Sequence, residues 1–248
     1  MERFKDKVVV VTGGANGLGH GFAEQFLKEG AKVAILDIEE DTMQEVFGGR
    51  EDDVLCIHCD VSDYDAVQVA IEQVVARFGH IDILMNNAGI THRQSFLDCS
   101  QEGWLEVMGT NLNGVFYVGQ AVARVMVDKG TQGVIVNLSS NSARKTITNI
   151  TPYGPSKAAV SALTCIMALE LAKYGIRVNA LAPGTTKTRI AAGTINDPER
   201  SAAFLKKMPF GRYGEIHEAV NAALFLASDA SSFITGETIF EEGGFSLL

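Results

Sequence analysis

Residues 7–19 read KVVVVTGGANGLG, a run of apolar β-branched residues followed directly by a glycine-rich stretch. The valines predict a buried strand, and apolar residues at positions 22, 23, 26 and 27 mark one face of a helix that ends near Gly30. Glycines between a strand and a helix allow a tight turn, and they let main-chain N–H groups approach a pyrophosphate at the helix N-terminus. Glycines also occur in ordinary turns, but this position favours a dinucleotide-binding loop. Its candidate residues are Gly13, Asn16, Gly17, Leu18 and Gly19.

The same alternation of short apolar strands and amphipathic helices continues along the chain. Further strands are predicted at residues 32–36, 54–58, 81–85, 133–138, 176–181 and 238–240. Strands that are apolar on both faces and are separated by helices imply a parallel sheet covered on both sides. The prediction is an α/β fold with a single doubly wound Rossmann-type domain over residues 1–248, in which a mostly parallel seven-stranded sheet has helices on both faces. The irregular segment at about 184–209 is predicted to be a substrate lid.

Composition restricts the possible partners and the compartment. The 248 residues carry a formal net charge of −9, which gives no general attraction to nucleic acid or anionic lipid. No apolar run of the sequence approaches the roughly 18 to 20 residues that cross a bilayer. Cys56 and Cys59 form a C-x-x-C pair, but no second Cys/His pair follows at a metal-site spacing, so we interpret this segment as a strand without a metal. We expect a cytoplasmic protein with no nucleic-acid, membrane or metal partner.

Asp37 ends the second predicted strand. A carboxylate at this position accepts hydrogen bonds from the adenosine ribose hydroxyls and repels a 2′-phosphate. Neither Ala15 nor Ile38 is an Arg or Lys that would offset that repulsion. The sequence therefore predicts NAD rather than NADP as the cofactor, with Asp37 and Ile38 beside the ribose. The alternative is that Asp37 only begins a turn or caps the next helix.

Tyr153 and Lys157 are four residues apart and therefore share one face of a predicted helix. A free tyrosine has a pKa of about 10, and lowering it by about 3 requires roughly 4 kcal/mol. One cation about 4 Å away, at an effective dielectric constant near 20, supplies roughly that energy. We expect that Lys157, assisted by the positive nicotinamide of the oxidised cofactor, lowers the pKa of Tyr153 and makes it an acid/base group. The alternative is an exposed Tyr and Lys pair on a surface helix.

Further motifs occur in a recognisable order along the chain. They are Asp60-Val61, the NNAG of residues 86–89, Asn111 in NLNGVF, Ser140 after IVNLS, Tyr153-x-x-x-Lys157, Pro183-Gly184, Gly236 and Gly243-Gly244. With the glycine-rich loop, this order resembles the short-chain dehydrogenase/reductase family in its single-domain form of about 250 residues. The resemblance covers nearly the whole chain and implies hydride transfer between nicotinamide and a carbonyl or alcohol carbon.

The resemblance also implies roles for individual residues. Ser140 would hydrogen-bond the substrate oxygen, with Ser139 and Ser142 as neighbours that could be mistaken for it. Asn111 would hold a water that links Lys157 to solvent, so the expected catalytic set is Asn111, Ser140, Tyr153 and Lys157. The remaining residues expected near the cofactor are Asp60, Val61, Asn87, Gly89, Tyr153, Lys157, Pro183, Gly184, Thr186 and Thr188.

The sequence also departs from the family pattern. Pro155 replaces the usual small residue before Ser-Lys, and Glu242 replaces the usual Asp before the terminal glycine pair. The customary glycine after the catalytic serine is absent from residues 141–144, which alters the wall of the substrate pocket and weakens any analogy of substrate.

Residues that follow the strands at their C-terminal ends are expected to face the substrate. This set is polar, so we predict a polar substrate such as a polyol, a keto sugar or a hydroxy acid. The side chains could instead point to solvent. The candidates are His92, Arg93, Asn141, Ser142, Arg144 and Arg189.

Three other functions are weighed against this prediction. A 3-oxoacyl carrier-protein reductase usually combines NADPH with a basic docking surface, which Asp37 and the acidic balance do not favour. An enoyl reductase would place its lysine farther along the helix, yet residue 160 is Val. A non-catalytic dinucleotide sensor has no need for the four catalytic candidates together. The resemblance further implies a homotetramer, or next a dimer, paired through the apolar helices at residues 114–127 and 158–171.

Overall fold

The computed structural model describes residues 2–247 and contains one seven-stranded sheet, ordered β3-β2-β1-β4-β5-β6-β7. Every neighbouring pair of strands is parallel, so the predicted doubly wound α/β fold is confirmed and its sheet is parallel throughout. The strands are β1 Val8–Thr12, β2 Lys32–Asp37, β3 Val54–His58, β4 Ile83–Asn86, β5 Val134–Leu138, β6 Arg177–Pro183 and β7 Thr238–Glu241.

Helices cover both faces of this sheet. They are α1 Gly17–Lys28, α2 Glu40–Phe47, α3 Tyr64–Phe78, α4 Gln101–Met108, α5 Gly114–Lys129, α6 Tyr153–Leu171, α7 Ala192–Ile195, α8 Pro198–Leu205 and α9 Ile216–Ala227. Alternate side chains of a strand point to opposite faces. Val9 and Val11 accordingly pack into a core with α1 and α9, whereas Val8 and Val10 pack into a second core with α3 and α5. The valine run at the start of the chain is therefore buried on both sides.

The strand order reverses between β1 and β4, and the loops that follow these two strands meet there. The Oγ1 of Thr12 accepts hydrogen bonds from the backbone N–H groups of Asn87 and Ala88, both at 2.9 Å. A crevice outside the carboxyl ends of the strands at such a reversal is the usual ligand site of an open α/β sheet. The fold thus places the two predicted cofactor loops side by side.

The predicted lid contains more regular structure than its sequence suggested. A short 3₁₀ turn at Arg189–Ala191 is followed by α7 and α8. The helix of residues Tyr153–Tyr174 is, by length and composition, long and apolar enough to cross a membrane. It packs against β6 and carries Tyr153 and Lys157 at its first turn, so we regard it as a helix of the domain.

Candidate active site

A continuous cleft runs along the C-terminal edge of the sheet. Its wider part, called the cavity below, has a volume of about 660 Å³ and lies between the ends of β5 and β6 and the helices α6 and α8. Its narrower part, called the groove below, has a volume of about 440 Å³ and lies over the ends of β1, β2 and β3. Leu18, Asn87, Gly89, Thr188 and Ile190 line both parts.

The glycine-rich loop that borders the groove requires its glycines. Gly13 and Gly17 have φ values of 64° and 56°, in the left-handed region that disfavours other residues. A Cβ atom at Gly19 would lie only 2.0 Å from the carbonyl oxygen of Gly13. The backbone of this loop is therefore closely packed against the start of α1, and Gly13, Gly17 and Leu18 line the groove.

The first turn of α1 offers an anion site. In the described part of the chain the side chain of Asn16, the residue before the helix, makes no capping hydrogen bond, and the first turn contains no acidic residue. The side chain of Asp63, by contrast, caps α3 by accepting from the N–H groups of Asp65 and Ala66. Free N–H groups at a helix N-terminus favour a phosphate. The geometry of this loop therefore fits the pyrophosphate of a dinucleotide.

Two carboxylates stand at the far end of the groove. Asp37 accepts hydrogen bonds from the N–H of Ala15 at 2.9 Å and from the N–H of Glu39 at 3.1 Å. Glu39 accepts from the side-chain amide of Asn16 at 3.0 Å and forms an ion pair with Arg189. The hydrogen bond from Arg189 lowers the pKa of Glu39.

The position of Arg189 corrects the sequence prediction in two ways. Arg189 was expected to face the substrate, but it lines the groove and not the cavity, because Glu39 holds its guanidinium. In the sequence, positions 15 and 38 are the ones that bear on the preference for NAD, whereas the fold also brings Arg189 to the same end of the groove. Its charge is balanced there by Glu39.

Tyr153 and Lys157 both line the cavity, but their pKa values do not follow the sequence prediction. The Nζ of Lys157 donates a hydrogen bond to the carbonyl of Leu138 at 2.7 Å and lies 5.9 Å from the centre of the Tyr153 ring. Burial lowers the pKa of Lys157 to about 8. Burial also raises the pKa of Tyr153, and the hydrogen bond with Ser140 opposes this rise without cancelling it. Burial therefore determines the direction of the pKa shift in the free protein, opposite to the predicted lowering, which includes the positive nicotinamide and stays a prediction for the complex with the oxidised cofactor.

The two adjacent serines after β5 have different environments. The hydroxyl of Ser139 donates to the carbonyl oxygen of Lys157 at 2.9 Å and is within 2.9 Å of the hydroxyl of Ser161, so it fastens α6 to the end of the strand. The hydroxyl of Ser140 accepts from the N–H of Ser142 at 3.1 Å, donates to the side-chain oxygen of Asn141 at 3.2 Å and lies close enough to the phenol of Tyr153 to oppose the rise in its pKa. Of the two serines, Ser140 is therefore the one beside the phenol in the cavity.

Asn111 lies in a π-helical turn, Gly109–Asn113, between α4 and α5. Its fully buried side chain accepts from the N–H of Ile90 at 2.8 Å and donates to the hydroxyl of Ser156 at 3.1 Å. Ser156 in turn donates to the carbonyl of Tyr153 at 2.7 Å. The described contacts tie Asn111 to the loop after β4 and to the first turn of α6.

The remaining predicted cofactor residues lie along the cleft. Every one except Gly19, which packs beneath the loop, lines the groove or the cavity. Those that line the groove are Gly13, Asn16, Gly17, Leu18, Asp37, Ile38, Asp60, Val61, Asn87, Gly89 and Thr188. Those that line the cavity include Tyr153, Lys157, Pro183, Gly184 and Thr186.

The six predicted substrate residues divide into two groups. Arg93, Asn141 and Ser142 line the cavity. His92 and Arg144, like Arg189, do not. The ring of His92 lies 2.7 Å from a carboxylate oxygen of Glu106, and the guanidinium of Arg144 lies over the ring of Phe240 at 5.3 Å. Both side chains find partners outside the cavity, so the prediction that they face the substrate is wrong.

Sequence reasoning missed several residues of the cavity wall. Arg200, Phe204 and Lys207 reach it from α8 and the residues after that helix, and Phe245 reaches it from the C-terminal turn, where its ring stacks on Phe204 at 5.1 Å. The available signal was the charge of the segment 184–209, which is predicted as a substrate lid, although Arg189 is the one residue of it that is predicted to face the substrate.

No cluster of three or more His, Cys, Asp or Glu residues suited to a metal ion occurs among residues 2–247. Cys56 and Cys59 are both free thiols. Burial raises the pKa of Cys59 to about 11, which keeps that sulfur protonated near neutral pH.

Comparisons with known proteins identify relatives over nearly the full chain. A family model described as enoyl-(acyl carrier protein) reductase matches residues 13–246. The L-rhamnose 1-dehydrogenase (NAD(P)(+)) of Azotobacter vinelandii is 36% identical over 96% of this chain and 96% of its own. The gluconate 5-dehydrogenase of Gluconobacter oxydans is 37% identical over 96% of this chain and 94% of its own. The crystal structure of a short-chain type dehydrogenase/reductase from Mycobacterium marinum has a TM-score of 0.93 at 36% identity, covering 98% of this chain and 97% of that one.

These likenesses agree with the order of motifs along the chain. The two relatives found by sequence are named as dehydrogenases, and the solved structure has the same fold over almost all residues. The chain belongs to the short-chain dehydrogenase/reductase family, and it is an oxidoreductase that transfers hydride between a nicotinamide dinucleotide and a CH–OH carbon.

Proposed function

We propose that this enzyme interconverts a polar secondary alcohol and the corresponding ketone with NAD(H), the substrate being a polyol, a keto sugar or a hydroxy acid. The observation that carries the proposal is the cavity itself, where Tyr153, Ser140 and Lys157 lie beside the glycine-rich loop. The names of the relatives support a polar substrate, because one acts on rhamnose and another on gluconate.

In the direction of oxidation, the Tyr153 oxygen removes the proton of the substrate hydroxyl. The Ser140 hydroxyl donates a hydrogen bond to the same substrate oxygen and so stabilises the negative charge that develops there. The hydrogen leaves the substrate carbon as a hydride, with both electrons of the C–H bond. The electrons of the former O–H bond complete the C=O bond at the same time. When bound, the nicotinamide accepts or returns this hydride. The ammonium of Lys157, with a pKa of about 8, is mostly protonated at neutral pH and stabilises the phenolate form of Tyr153.

We propose that Asn111 positions Tyr153 and Lys157 on α6. Its hydrogen bonds to Ile90 and Ser156 hold the loop after β4 against the first turn of α6. We also propose that residues 184–209 act as the substrate lid, since Thr186, Ile190 and Phe204 of this segment line the cavity.

Two rival reactions are less well supported. The residue where the lysine of an enoyl reductase is expected, Val160, is fully buried and apolar. A 3-oxoacyl carrier-protein reductase would need a basic docking surface for an acidic partner, whereas the chain has a net charge of −9. A non-catalytic dinucleotide sensor would not require Ser140 and Lys157 to lie beside Tyr153 in the cavity.

The proposal is tested by following absorbance at 340 nm with NAD and NADP and a panel of alcohols. We expect polyols, sugars or sugar acids to reduce NAD, and we expect simple apolar ketones and enoyl thioesters to be poor substrates with NADH. Turnover confined to apolar ketones would overturn the proposed substrate class, and the absence of turnover with every alcohol would overturn the proposed function.

Replacing Asp37 by Asn is expected to weaken the preference for NAD. The amide keeps one of the two acceptor oxygens that bind the N–H groups of Ala15 and Glu39, and it removes the charge that repels a 2′-phosphate. We expect the ratio of kcat/KM for NAD to that for NADP to fall about tenfold or more, as one charged contact is worth roughly 1.5–3 kcal/mol. The matched control is Glu40→Gln, which removes one exposed charge outside the groove. An unchanged ratio in Asp37→Asn would contradict the assignment of NAD to Asp37.

The adjacent serines provide a second matched pair. Ser140→Ala should lower kcat by about 10²-fold, because it removes a hydrogen bond that strengthens as charge develops on the substrate oxygen. Ser139→Ala should lower kcat less than tenfold but lower the melting temperature, since it releases the contact between β5 and α6. Steady-state kinetics and thermal unfolding of both variants check the pair. Equal losses of kcat would mean that Ser140 has no special role.

We propose a homotetramer, with a dimer as the next choice, and a cytoplasmic location. Phe116 on α5 and both Ile166 and Leu169 on α6 are exposed apolar side chains on the helices expected to pair between subunits. The four cysteines are free thiols, which suits a reducing compartment.

A further inference from the structure

The two parts of the cleft carry opposite charges. The groove is lined by Asp37, Glu39, Asp60 and Glu106, with Arg189 as its cation. Within residues 2–247 the cavity is lined by no Asp or Glu at all, although the chain contains 30 of them against 21 Lys and Arg. Its charged lining residues are Arg93, Lys157, Arg200 and Lys207. The cationic character of the cavity is therefore local and opposes the net charge of the protein.

The cations of the cavity are not equivalent. Lys157 is buried and directed at the carbonyl of Leu138, and the guanidinium of Arg200 is paired with Asp197 at 3.1 Å. Arg93 and Lys207 have no carboxylate within 4.0 Å among the described residues. These two are therefore the cations whose charge a ligand could balance.

Arg93 is held in place without being neutralised. Its guanidinium donates to the hydroxyl of Thr194 on α7, which fixes the side chain between the loop after β4 and the lid. A guanidinium has five N–H donors, so this contact leaves others for a ligand. Planar guanidinium groups bind carboxylates through paired hydrogen bonds, which are stronger than hydrogen bonds between neutral groups.

We propose that Arg93 and Lys207 bind a carboxylate group of the substrate, so that the preferred substrates are sugar acids and other hydroxy acids rather than neutral polyols or sugars. This inference rests on the proposed function and narrows it. The N-terminus of α8, the helix that carries Arg200, offers no free N–H groups to a phosphate, because Asp197 caps it by accepting from the N–H groups of Glu199 and Arg200. The sugar phosphates in the test below distinguish the two anions.

The test compares pairs of compounds that differ only in this group. Aldonates of five and six carbons are assayed with NAD against the alditols in which a hydroxymethyl group replaces the carboxylate, and the corresponding sugar phosphates form a third arm. At least one aldonate should have a kcat/KM about 10- to 100-fold above that of its alditol. This factor is the expected effect of one charge-assisted hydrogen bond on binding. In Arg93→Gln this ratio should fall about tenfold, and in Lys207→Gln it should fall as well.

Two controls separate charge recognition from a structural effect. Lys206→Gln removes an exposed charge next to Lys207 that does not line the cavity, and it should leave the ratio unchanged. Thr194→Ala removes the partner of Arg93 but keeps the charge, and it should lower the ratio less than Arg93→Gln does.

Each alternative outcome is decisive. Turnover of alditols that equals or exceeds that of aldonates, or a preference for the sugar phosphates, would overturn the carboxylate inference and leave the proposed function standing. Equal losses for aldonate and alditol in Arg93→Gln would show that Arg93 only supports the lid. No turnover of any member of the panel would overturn both proposals.

Discussion

Replacing Tyr153 by Phe is expected to lower kcat by about 10²- to 10⁴-fold, the usual contribution of a positioned acid/base group. The substitution removes the hydroxyl that exchanges a proton with the substrate and keeps the ring that lines the cavity. The change in the free energy of unfolding should be small, about 1 kcal/mol, because Ser140 is the one side-chain partner of this hydroxyl among the described residues.

The measurement is steady-state turnover together with NADH binding by fluorescence. We expect the Kd for NADH to change less than about fivefold, as the loss should lie in a proton transfer and not in binding. Tyr174→Phe, the same change at an exposed position just beyond α6, is the matched control and should keep full activity. A Tyr153→Phe variant with more than a third of the original kcat would refute the proposed chemistry.

Replacing Lys157 by Met is expected to have opposite effects on activity and stability. Activity should fall about 10²-fold or more, because the variant lacks the ammonium that stabilises a phenolate. The free energy of unfolding at pH 7 should rise by about 2 kcal/mol. Burial lowers the pKa of Lys157 from 10.5 to about 8. Keeping the side chain charged therefore costs the folded protein about 1.4 kcal/mol for each unit by which the pKa falls. The variant avoids this cost, but it also loses the hydrogen bond to Leu138, which offsets about 1.5 kcal/mol of the gain.

The pH dependence of this stability difference has a definite sign. A lysine whose pKa is lowered by folding destabilises the native state fully below the folded pKa, near 8, and no longer does so above the unfolded pKa of 10.5. The advantage of Lys157→Met should therefore be largest at pH 7 and shrink towards pH 10.5. Urea unfolding at several pH values measures it, with Lys173→Met as the exposed control. If Lys157→Met is less stable than the parent at pH 7, the pKa of the buried Lys157 amine is not lowered as described.

The fold could be predicted because the decisive signals are local. The valines of β1 are buried on both faces of the strand, and the glycines follow directly. The interiors of β2, β4, β5 and β6 are buried on both faces in the same way. Strand boundaries differ from the prediction by at most two residues, as for β4, which begins at Ile83 rather than at 81. Strand ends depend on pairing with neighbours, which a single sequence does not display.

The site could be predicted only where its residues belong to sequential motifs. Arg189 pairs with a carboxylate 150 residues away, so its place in the groove follows from tertiary structure and not from any nearby pattern. The side chain of Arg144 follows a strand end as expected, yet it lies over the ring of Phe240 from the last strand. The pKa of Tyr153 was predicted from the distance to one cation, whereas the degree of burial, which the spacing of two residues does not reveal, determines its direction.

We propose that Tyr153 becomes an effective acid/base group in the cofactor complex although burial raises its pKa in the free protein. The most direct test is a spectrophotometric titration of tyrosinate near 295 nm in the parent and in Tyr153→Phe, because their difference isolates one of the five tyrosines. We predict a pKa above that of a free tyrosine without NAD and a lower pKa in the presence of saturating NAD, as expected when positive charge approaches a phenol. A pKa of Tyr153 that stays the same or rises when NAD binds would contradict the account.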